Sequence, residues 1–205
     1  MFAGTAYCTA LNDRRQLEAL DPALHQPPYA NPPQAPVLYI KSGHCVVASG
    51  STVSLPDPTD ILAVGATIAL QWTASGPTTA RLALDLAVPH ESFYRPAIGE
   101  LTRDGLLPVG AAAPRPDALD TLEIVTEING TAVHHWNLSY LVRGIDRLIA
   151  DVTTFMSLLP GDMLLVGTAG DRPTAKRGDH VRVSAAGFAP VEAVISGSNM
   201  QAGHA

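Results

Sequence analysis

The chain is poor in lysine and in long apolar runs, and each shortage excludes a class of protein. Lys41 and Lys176 are the only lysines among 205 residues, and the net charge is −6. A nucleic-acid-binding domain normally carries a basic stripe, so this balance argues against nucleic acid as a partner. No apolar run approaches the roughly 20 residues that a membrane helix needs, so we expect no membrane partner either.

Cysteine is also scarce, and its placement argues against a metal or redox pair. Cys8 and Cys45 are the only two, and their separation fits no ligand spacing. The N-terminal residues soon turn polar, at 12–15, which is unlike a signal peptide. We therefore expect free thiols and a cytoplasmic protein.

The common catalytic motifs are missing as well. The sequence contains no GxSxG elbow, Walker loop, HExxH or GxGxxG pattern. Neither lysine has an obvious acid–base partner nearby in the sequence. With 46% hydrophobic and 16% charged residues, the composition is that of a globular domain whose chemistry the motifs do not reveal.

Short strands dominate the elements that the patterns predict. Five prolines in residues 26–36 indicate an extended loop. Apolar runs at 37–40, 45–47, 66–72 and 82–88 predict strands, the last one interrupted by Asp85. Alternation over 122–128 followed by Asn129-Gly130 predicts a hairpin, and 163–166 and 181–183 read as further strands.

One helix is predicted, over residues 138–159. Apolar residues recur there at three- and four-residue spacing, Asn137 or Ser139 can cap the start, and Pro160-Gly161 can end it. The predicted fold class is α+β, a β-rich mixed-sheet roll with one main outer helix. We divide it into an N-terminal extension and Pro-rich loop at 1–36 within the same domain, the main domain at 37–195, and a tail at 196–205.

Three stretches carry a resemblance to a known family. They are the Glu91–Ile98 segment with Arg103-Asp104-Gly105, the Thr126–Gly130 segment with His135-Trp136-Asn137, and the Leu159–Thr168 segment with Arg177–Val183. In order and spacing they resemble the fumarylacetoacetate hydrolase family. The Ser92–Ile98 part is similar to the N-terminal half of the family's two-domain isomerase/decarboxylases of 4-hydroxyphenylacetate (homoprotocatechuate) degradation.

The resemblance implies a metal site, yet this chain departs from its pattern. Family members hold Mg²⁺ with a Glu-x-Glu pair and an aspartate on the next strand, and the ion stabilises an enolate. The matching positions here are Gly65-Ala66-Thr67 and Asp85, and Leu101 stands where the family has a lysine. We therefore expect Asp85 to be a weak remnant of a metal site, with Mg²⁺ binding weak or absent. A structural partner for Asp85, such as Arg95 or Arg103, is the alternative.

Other candidate site residues lie in or near the matched stretches, and the resemblance bears on Tyr94, Arg95 and Thr168 among them. We consider His90 and Glu91 a catalytic acid–base pair or an exposed loop pair, and Tyr94 and Arg95 substrate-binding or packing residues. Thr168 matches a turn that faces the substrate carboxylate. His134 and His135 are expected at the surface, and the cluster Arg172, Lys176 and Arg177 is expected to be a solvated turn.

The implied function is that of a subunit of an isomerase/decarboxylase acting on 2-oxo or 2-hydroxy dienoic diacids. Two alternatives stay open, a non-catalytic partner and a small-acid-binding paralogue with an eroded metal site. The expected partners are a small dicarboxylic or tricarboxylic acid and either a second copy of the chain or a homologous intact subunit.

Overall fold

Two curled β-sheets form the body of the molecule. The computed structural model describes residues 4–55, 61–90, 93–94 and 97–197. In chain order the strands are β1 (Ala6–Ala10), β2 (Val37–Lys41), β3 (Val46–Ala48), β4 (Ser51–Ser54), β5 (Ile61–Thr73), β6 (Gly76–Ala87), β7 (Leu107–Val109), β8 (Ala113–Pro114), β9 (Glu123–Ile128), β10 (Thr131–Asn137), β11 (Met163–Leu165), β12 (Thr174–Lys176), β13 (His180–Ala185) and β14 (Val191–Ser196).

The larger sheet is mixed and contains the central hairpin of the fold. Its strand order is β2-β1-β11-β5-β6-β7-β3, with β12 paired to β5 and β8 paired to β6. The pairs β1–β11 and β3–β7 are parallel, while β5 and β6 form a long antiparallel pair. The smaller sheet has the order β10-β9-β13-β14-β4. The predicted class, a β-rich mixed-sheet α+β fold, is confirmed.

The core explains why β5 and β6 read as continuous apolar runs. Residues 62–70 of β5 are all buried, as are residues 82–87 of β6. Strands covered on both faces lose the alternation of a half-exposed sheet. Each fully buried leucine in such a core stabilises the fold by about 1.5–3 kcal/mol.

The predicted hairpin forms at the expected residues. Asn129 and Gly130 both have positive φ, of 53° and 79° respectively, as a tight hairpin turn between β9 and β10 requires. The last strand, β14, ends at Ser196, which is the first residue of the expected 196–205 tail. Residues 198–205 lie outside the described part of the chain.

The predicted helix at 138–159 is too long. A 3₁₀ turn covers Leu138–Tyr140, and the α-helix α3 spans only Ile145–Thr153. Between them Leu141 forms a β-bridge with Asp13, which interrupts the helical path. The apolar stripe is therefore shorter than expected: Ile145, Leu148 and Val152 are buried, whereas Phe155 and Leu159 are exposed.

Two helices were not predicted. α1 spans Arg14–Leu24, and α2 is a single turn at Ile98–Leu101. Asp13 caps α1 by accepting a hydrogen bond from the backbone N–H of Gln16 at 3.0 Å. The Asp-x-x-Gln spacing at 13–16 is a capping-box pattern and could have revealed this helix. No helix in the described residues is long and apolar enough to span a membrane.

Candidate functional site

Asp85 lies at the centre of a buried polar cluster. It stands on β6 directly opposite Gly65 of β5 and is 2% exposed. Lys41 Nζ lies 2.8 Å from Asp85 Oδ1, and the Tyr39 hydroxyl donates to Asp85 Oδ2. Tyr39 and Lys41 are two residues apart on β2, so both side chains point to the same face. Lys41 and Tyr39 are therefore partners of Asp85, whereas Arg103 donates to the Gly99 carbonyl oxygen instead. The other predicted partner, Arg95, lies outside the described residues.

The ammonium group of Lys41 is fully enclosed by the protein. It is 0% exposed and donates to the carbonyl oxygens of Leu86 at 2.6 Å and Leu106 at 3.0 Å. A buried ammonium is costly unless it is paired and hydrogen-bonded, and here both conditions are met. Lys41 therefore does have an acid partner, which the sequence separation concealed.

The groups beside the cluster stay in their neutral forms. Burial, reinforced by the negative charge of Asp85, raises the pKa of the Tyr39 phenol well above its usual value. The same two causes raise the pKa of the Cys8 thiol. Both cysteines are free and buried, as expected for free thiols. The cluster contains one anion and one cation, and Tyr39 acts as a neutral donor.

The residues around Asp85 do not fit a hard dication. A Cβ atom at Gly65 would lie 2.5 Å from Thr168 Cγ2 and 2.8 Å from the Asp85 carbonyl oxygen, so the place of a first carboxylate is filled. Thr67 is buried and its hydroxyl bonds to the Ile68 carbonyl. Within the described residues no group of three or more His, Cys, Asp or Glu side chains could hold a metal ion. Mg²⁺ prefers several oxygen ligands and here meets an ammonium instead.

A cleft opens beside the cluster as three adjoining cavities. The first, about 540 Å³, has mainly apolar walls that include Leu38, Phe93 and Leu101. The second, about 730 Å³, is bounded by α1 and the turn before β12. A small third cavity of about 30 Å³ lies between Tyr39 and Thr168. His90 and Phe93 line all three cavities, so we describe them as one cleft.

The cleft contains some of the predicted site residues. His90 Nδ1 is 3.3 Å from the Val88 carbonyl oxygen, and its ring meets Phe93 edge-on at 5.6 Å. Tyr94 lines the first cavity and its ring lies 6.0 Å from that of Tyr29. Thr168 lines the third cavity. Glu91 and Arg95 lie outside the described residues, so the pairing of His90 with Glu91 stays a prediction.

The environment of Arg172 differs from the solvated turn that was expected for the basic cluster. It is half-buried, lines the second and third cavities, and donates from Nη1 to Thr168 Oγ1 at 3.2 Å. Lys176 and Arg177 are exposed, as expected. Nothing in the local sequence distinguishes Arg172 from these two, because only the fold turns its side chain into the cleft.

The two histidines near the hairpin differ in their environments. His135 is exposed and lies 3.3 Å from Glu123, in agreement with a surface position. The side chain of His134 is only 13% exposed, and its Nε2 lies 3.0 Å from Asp171 Oδ1. Asp171 has a lowered pKa: burial opposes the shift, but hydrogen bonding from His134 and the charge of Arg15 outweigh it.

Comparison with known proteins gives the same family as the sequence motifs. The family model described as Fumarylacetoacetate (FAA) hydrolase C-terminal matches residues 64–196. The chain is 39% identical over 203 residues to the 4-hydroxyphenylacetate degradation bifunctional isomerase/decarboxylase of Salmonella dublin, a match that covers 92% of this chain and 46% of the relative. The chain thus spans about half the length of the curated relatives it matches.

Two solved structures agree in fold. Fumarylpyruvate hydrolase from Pseudomonas aeruginosa, in complex with Mn²⁺ and pyruvate, has a TM-score of 0.77 at 17% identity, covering 95% of this chain and 90% of that one. The 5-carboxymethyl-2-hydroxymuconate delta-isomerase from Mycobacterium smegmatis has a TM-score of 0.76 at 18% identity, covering 97% and 78%. At these identities the similarity is evidence for a shared fold alone.

Proposed function

Because the chain belongs to the fumarylacetoacetate hydrolase family, we propose that it is a subunit of a 4-hydroxyphenylacetate degradation isomerase/decarboxylase, acting on 2-oxo or 2-hydroxy dienoic diacids. The observation that carries the proposal is the 39% identity over 92% of the chain to one half of such an enzyme. We assign the chain to the cytoplasm, in keeping with its free cysteines.

The cleft supports the substrate class. A guanidinium from Arg172 and hydroxyls from Thr168 and Tyr94 line a space whose remaining walls are largely apolar. A polar end suits a carboxylate, and apolar walls suit an unsaturated carbon chain. His90 is the candidate proton carrier, because its imidazole borders every part of the cleft and an imidazole can both accept and donate a proton.

The ion pair of Asp85 with Lys41 decides which step of the reaction we assign to this subunit. Family relatives bind a divalent ion, as the Mn²⁺ complex of fumarylpyruvate hydrolase illustrates. In this chain Lys41 neutralises the one matching carboxylate, so we derive no step through a metal here. We propose instead that this subunit binds and orients the acid and exchanges a proton through His90. The metal-dependent step then belongs to a homologous subunit with an intact Glu-x-Glu pair.

The ion pair between Lys41 and Asp85 also favours a second function, which is the binding of a small acid without turnover. If no intact subunit associates with the chain, the cleft remains a small-acid-binding site without turnover. That alternative requires the acid-binding residues but neither a metal nor a partner.

The test is reconstitution. The purified chain, an intact Glu-x-Glu homologue, and their equimolar mixture are assayed for dienoate isomerisation by ultraviolet absorbance and for CO₂ release. We expect little or no CO₂ release from the chain alone, together with a mixture that co-elutes and exceeds the homologue's own rate. A mixture that neither associates nor gains activity would count against the subunit role and leave the acid-binding alternative.

A His90→Gln variant tests the proton-carrier assignment. It should lower isomerisation by the mixture while leaving complex formation unchanged. His135→Gln is the matched control, because His135 is exposed and lines none of the cavities. Equal loss in both variants would contradict a specific role for His90.

A further inference from the structure

The Pro-rich loop, residues 26–36, contacts the wall of the cleft from outside. None of its residues lines the three cavities. Tyr29 is half-buried, and its hydroxyl accepts a hydrogen bond from the backbone N–H of Phe93 at 2.8 Å. Its ring also meets the ring of Tyr94 edge-on, with 6.0 Å between the centroids. One side chain of the loop therefore contacts two consecutive residues of the cleft wall.

The Pro-rich loop is attached to the body of the molecule on both sides. It follows Leu24, the last residue of α1, which is 2% exposed. Near its other end, the carbonyl oxygen of Gln34 accepts a hydrogen bond from Arg143 Nη2 at 2.7 Å, and Arg143 Nε lies 3.2 Å from Asp151 of α3. Proline fixes φ, so the five prolines between these attachments leave the loop little conformational freedom. The loop is therefore a stiff support for the residues that it contacts.

The supported residues border the candidate proton carrier. Phe93 lines all three cavities, and its ring meets the imidazole of His90 edge-on at 5.6 Å. The only hydrogen bond of His90 within the described ranges is the 3.3 Å contact of Nδ1 with the Val88 carbonyl oxygen. A group that exchanges a proton with a ligand must be held in one orientation, and neighbouring side chains provide this by packing. The position of Phe93 therefore bears on the orientation of His90.

We propose that Tyr29 is a positioning residue, which fixes Phe93 and Tyr94 in the cleft wall and thereby sets the orientation of His90. This inference rests on the proposed function, because it names the residue that orients the candidate proton carrier. The phenol oxygen fixes the backbone of Phe93, and the ring packs against Tyr94. Tyr29 lines none of the cavities, so it acts through Phe93 and not on a ligand.

Two variants separate the contributions of the hydroxyl and the ring. Tyr29→Phe keeps the ring and removes the hydrogen-bond acceptor, whereas Tyr29→Leu removes both. A neutral hydrogen bond and an aromatic pair each correspond to about a two- to tenfold change in an equilibrium. Tyr140→Phe is the matched control, because it removes a hydroxyl from an exposed tyrosine that lines none of the cavities.

Nuclear magnetic resonance of the chain alone tests the positioning directly. In Tyr29→Phe the Phe93 amide should exchange with deuterium about two- to tenfold faster than in the wild type, since it loses its acceptor. The Hε1 resonance of His90 should move in both Tyr29 variants, because the Phe93 ring no longer holds one position beside it. The Hε1 resonance of His135 should not move in any variant, and Tyr140→Phe should leave all three signals unchanged.

Kinetics of the mixture with an intact Glu-x-Glu homologue then test the consequence for the reaction. Tyr29→Phe should lower kcat for dienoate isomerisation by about two- to tenfold and change KM less than about twofold, because the orientation of His90 changes and the cavities remain. Tyr29→Leu should lower kcat further. A merely structural role would instead lower the melting temperature and leave kcat per folded chain unchanged.

The outcomes separate this inference from the proposed function. Unchanged exchange of the Phe93 amide, or an unmoved His90 resonance in both variants, would overturn the positioning role whether or not the mixture is active. An active mixture whose kcat does not respond to either Tyr29 variant would overturn it as well. If the mixture is inactive but the exchange rate and the His90 resonance both change, the subunit role is removed and Tyr29 still positions His90.

Discussion

Lys41 Nζ lies 2.8 Å from Asp85 Oδ1 although their strands are not neighbours in the sheet. Between β2 and β6 stand β1, β11 and β5, so the sheet must curl strongly for the end of β2 to meet β6. The same contact provides the charge partner of Asp85 and occupies the region where family resemblance predicts a metal ligand. The Lys41–Asp85 ion pair therefore accounts both for the stability of the buried carboxylate and for its poor fit to a divalent cation.

Replacing Lys41 should be strongly destabilising. Lys41→Met leaves Asp85 as a buried carboxylate without a counter-charge, which typically costs about 3–5 kcal/mol in free energy of unfolding. Urea denaturation at pH 7 measures the loss. Lys176→Met, at an exposed position, should change stability by less than about 0.5 kcal/mol.

The double variant Lys41→Met/Asp85→Asn should recover part of that loss. It removes both charges together, so the free energies of the two single variants should not add. Additive single effects, or a Lys41→Met variant within about 1 kcal/mol of the wild type, would show that the ion pair is not the dominant interaction of the cluster.

Binding of divalent metal should be weak. Asp85 and Lys41 together carry no net charge, so they provide no electrostatic attraction for Mg²⁺ or Mn²⁺. We expect calorimetric titration of the chain to give dissociation constants no tighter than millimolar. A micromolar constant would mean that carboxylates elsewhere, including those outside the described residues, build a site.

The variant Gly65→Glu/Thr67→Glu should not restore such a site. A Cβ atom at position 65 would lie 2.5 Å from Thr168 Cγ2, and the ammonium of Lys41 would remain beside Asp85. A clear gain of Mn²⁺ affinity in this variant would contradict the view that Thr168 and Lys41 block the position.

Acid should destabilise the chain partly through Asp179. Hydrogen bonds from the Lys176 backbone N–H and from Asn129 lower the pKa of this carboxyl in the folded state. A lowered folded-state pKa adds stability above the unfolded pKa of about 3.9, and that stability is lost as the pH falls through the folded value. Asp179→Asn should therefore be less stable than the wild type at pH 7, with the difference shrinking toward pH 3.

Asp117→Asn is the control for this pH effect, because Asp117 is exposed. Thermal unfolding followed at pH 7, 5 and 3 compares the three proteins. A difference between Asp179→Asn and the wild type that grows on acidification would reverse the assigned direction of the pKa shift.

Association into at least a dimer is the expected assembly. Several large apolar side chains are exposed in the single chain, among them Ile40, Ile98, Phe155 and Leu159. Exposed apolar side chains mark an interface between subunits when they form one contiguous patch. Light scattering at micromolar concentrations should give at least twice the 21.5 kDa mass of the chain. A strictly monomeric mass across that range would contradict the prediction.

The local elements were largely accessible from sequence, because they depend on short-range patterns. The β9–β10 hairpin follows from alternation and an Asn-Gly turn, and β5 and β6 follow from their apolar runs. The long helix at 138–159 was wrong, because apolar spacing alone did not reveal the bridge between Leu141 and Asp13. Helix α1 was missed although its capping pattern was present.

The sequence alone determined the family and the fold class, since these follow from residue type and order. It also determined the departures from the family's metal-site pattern at Gly65, Thr67 and Leu101. Tertiary structure decided which charges meet. Lys41 and Asp85 are 44 positions apart on strands that touch only through the curl of the sheet. From the sequence, Arg172 resembles any other surface cation. In the structure, the turn before β12 places it beside Thr168 and the cleft. Whether two charged groups interact depends on the distance between them in the folded chain, and a local sequence pattern does not give that distance.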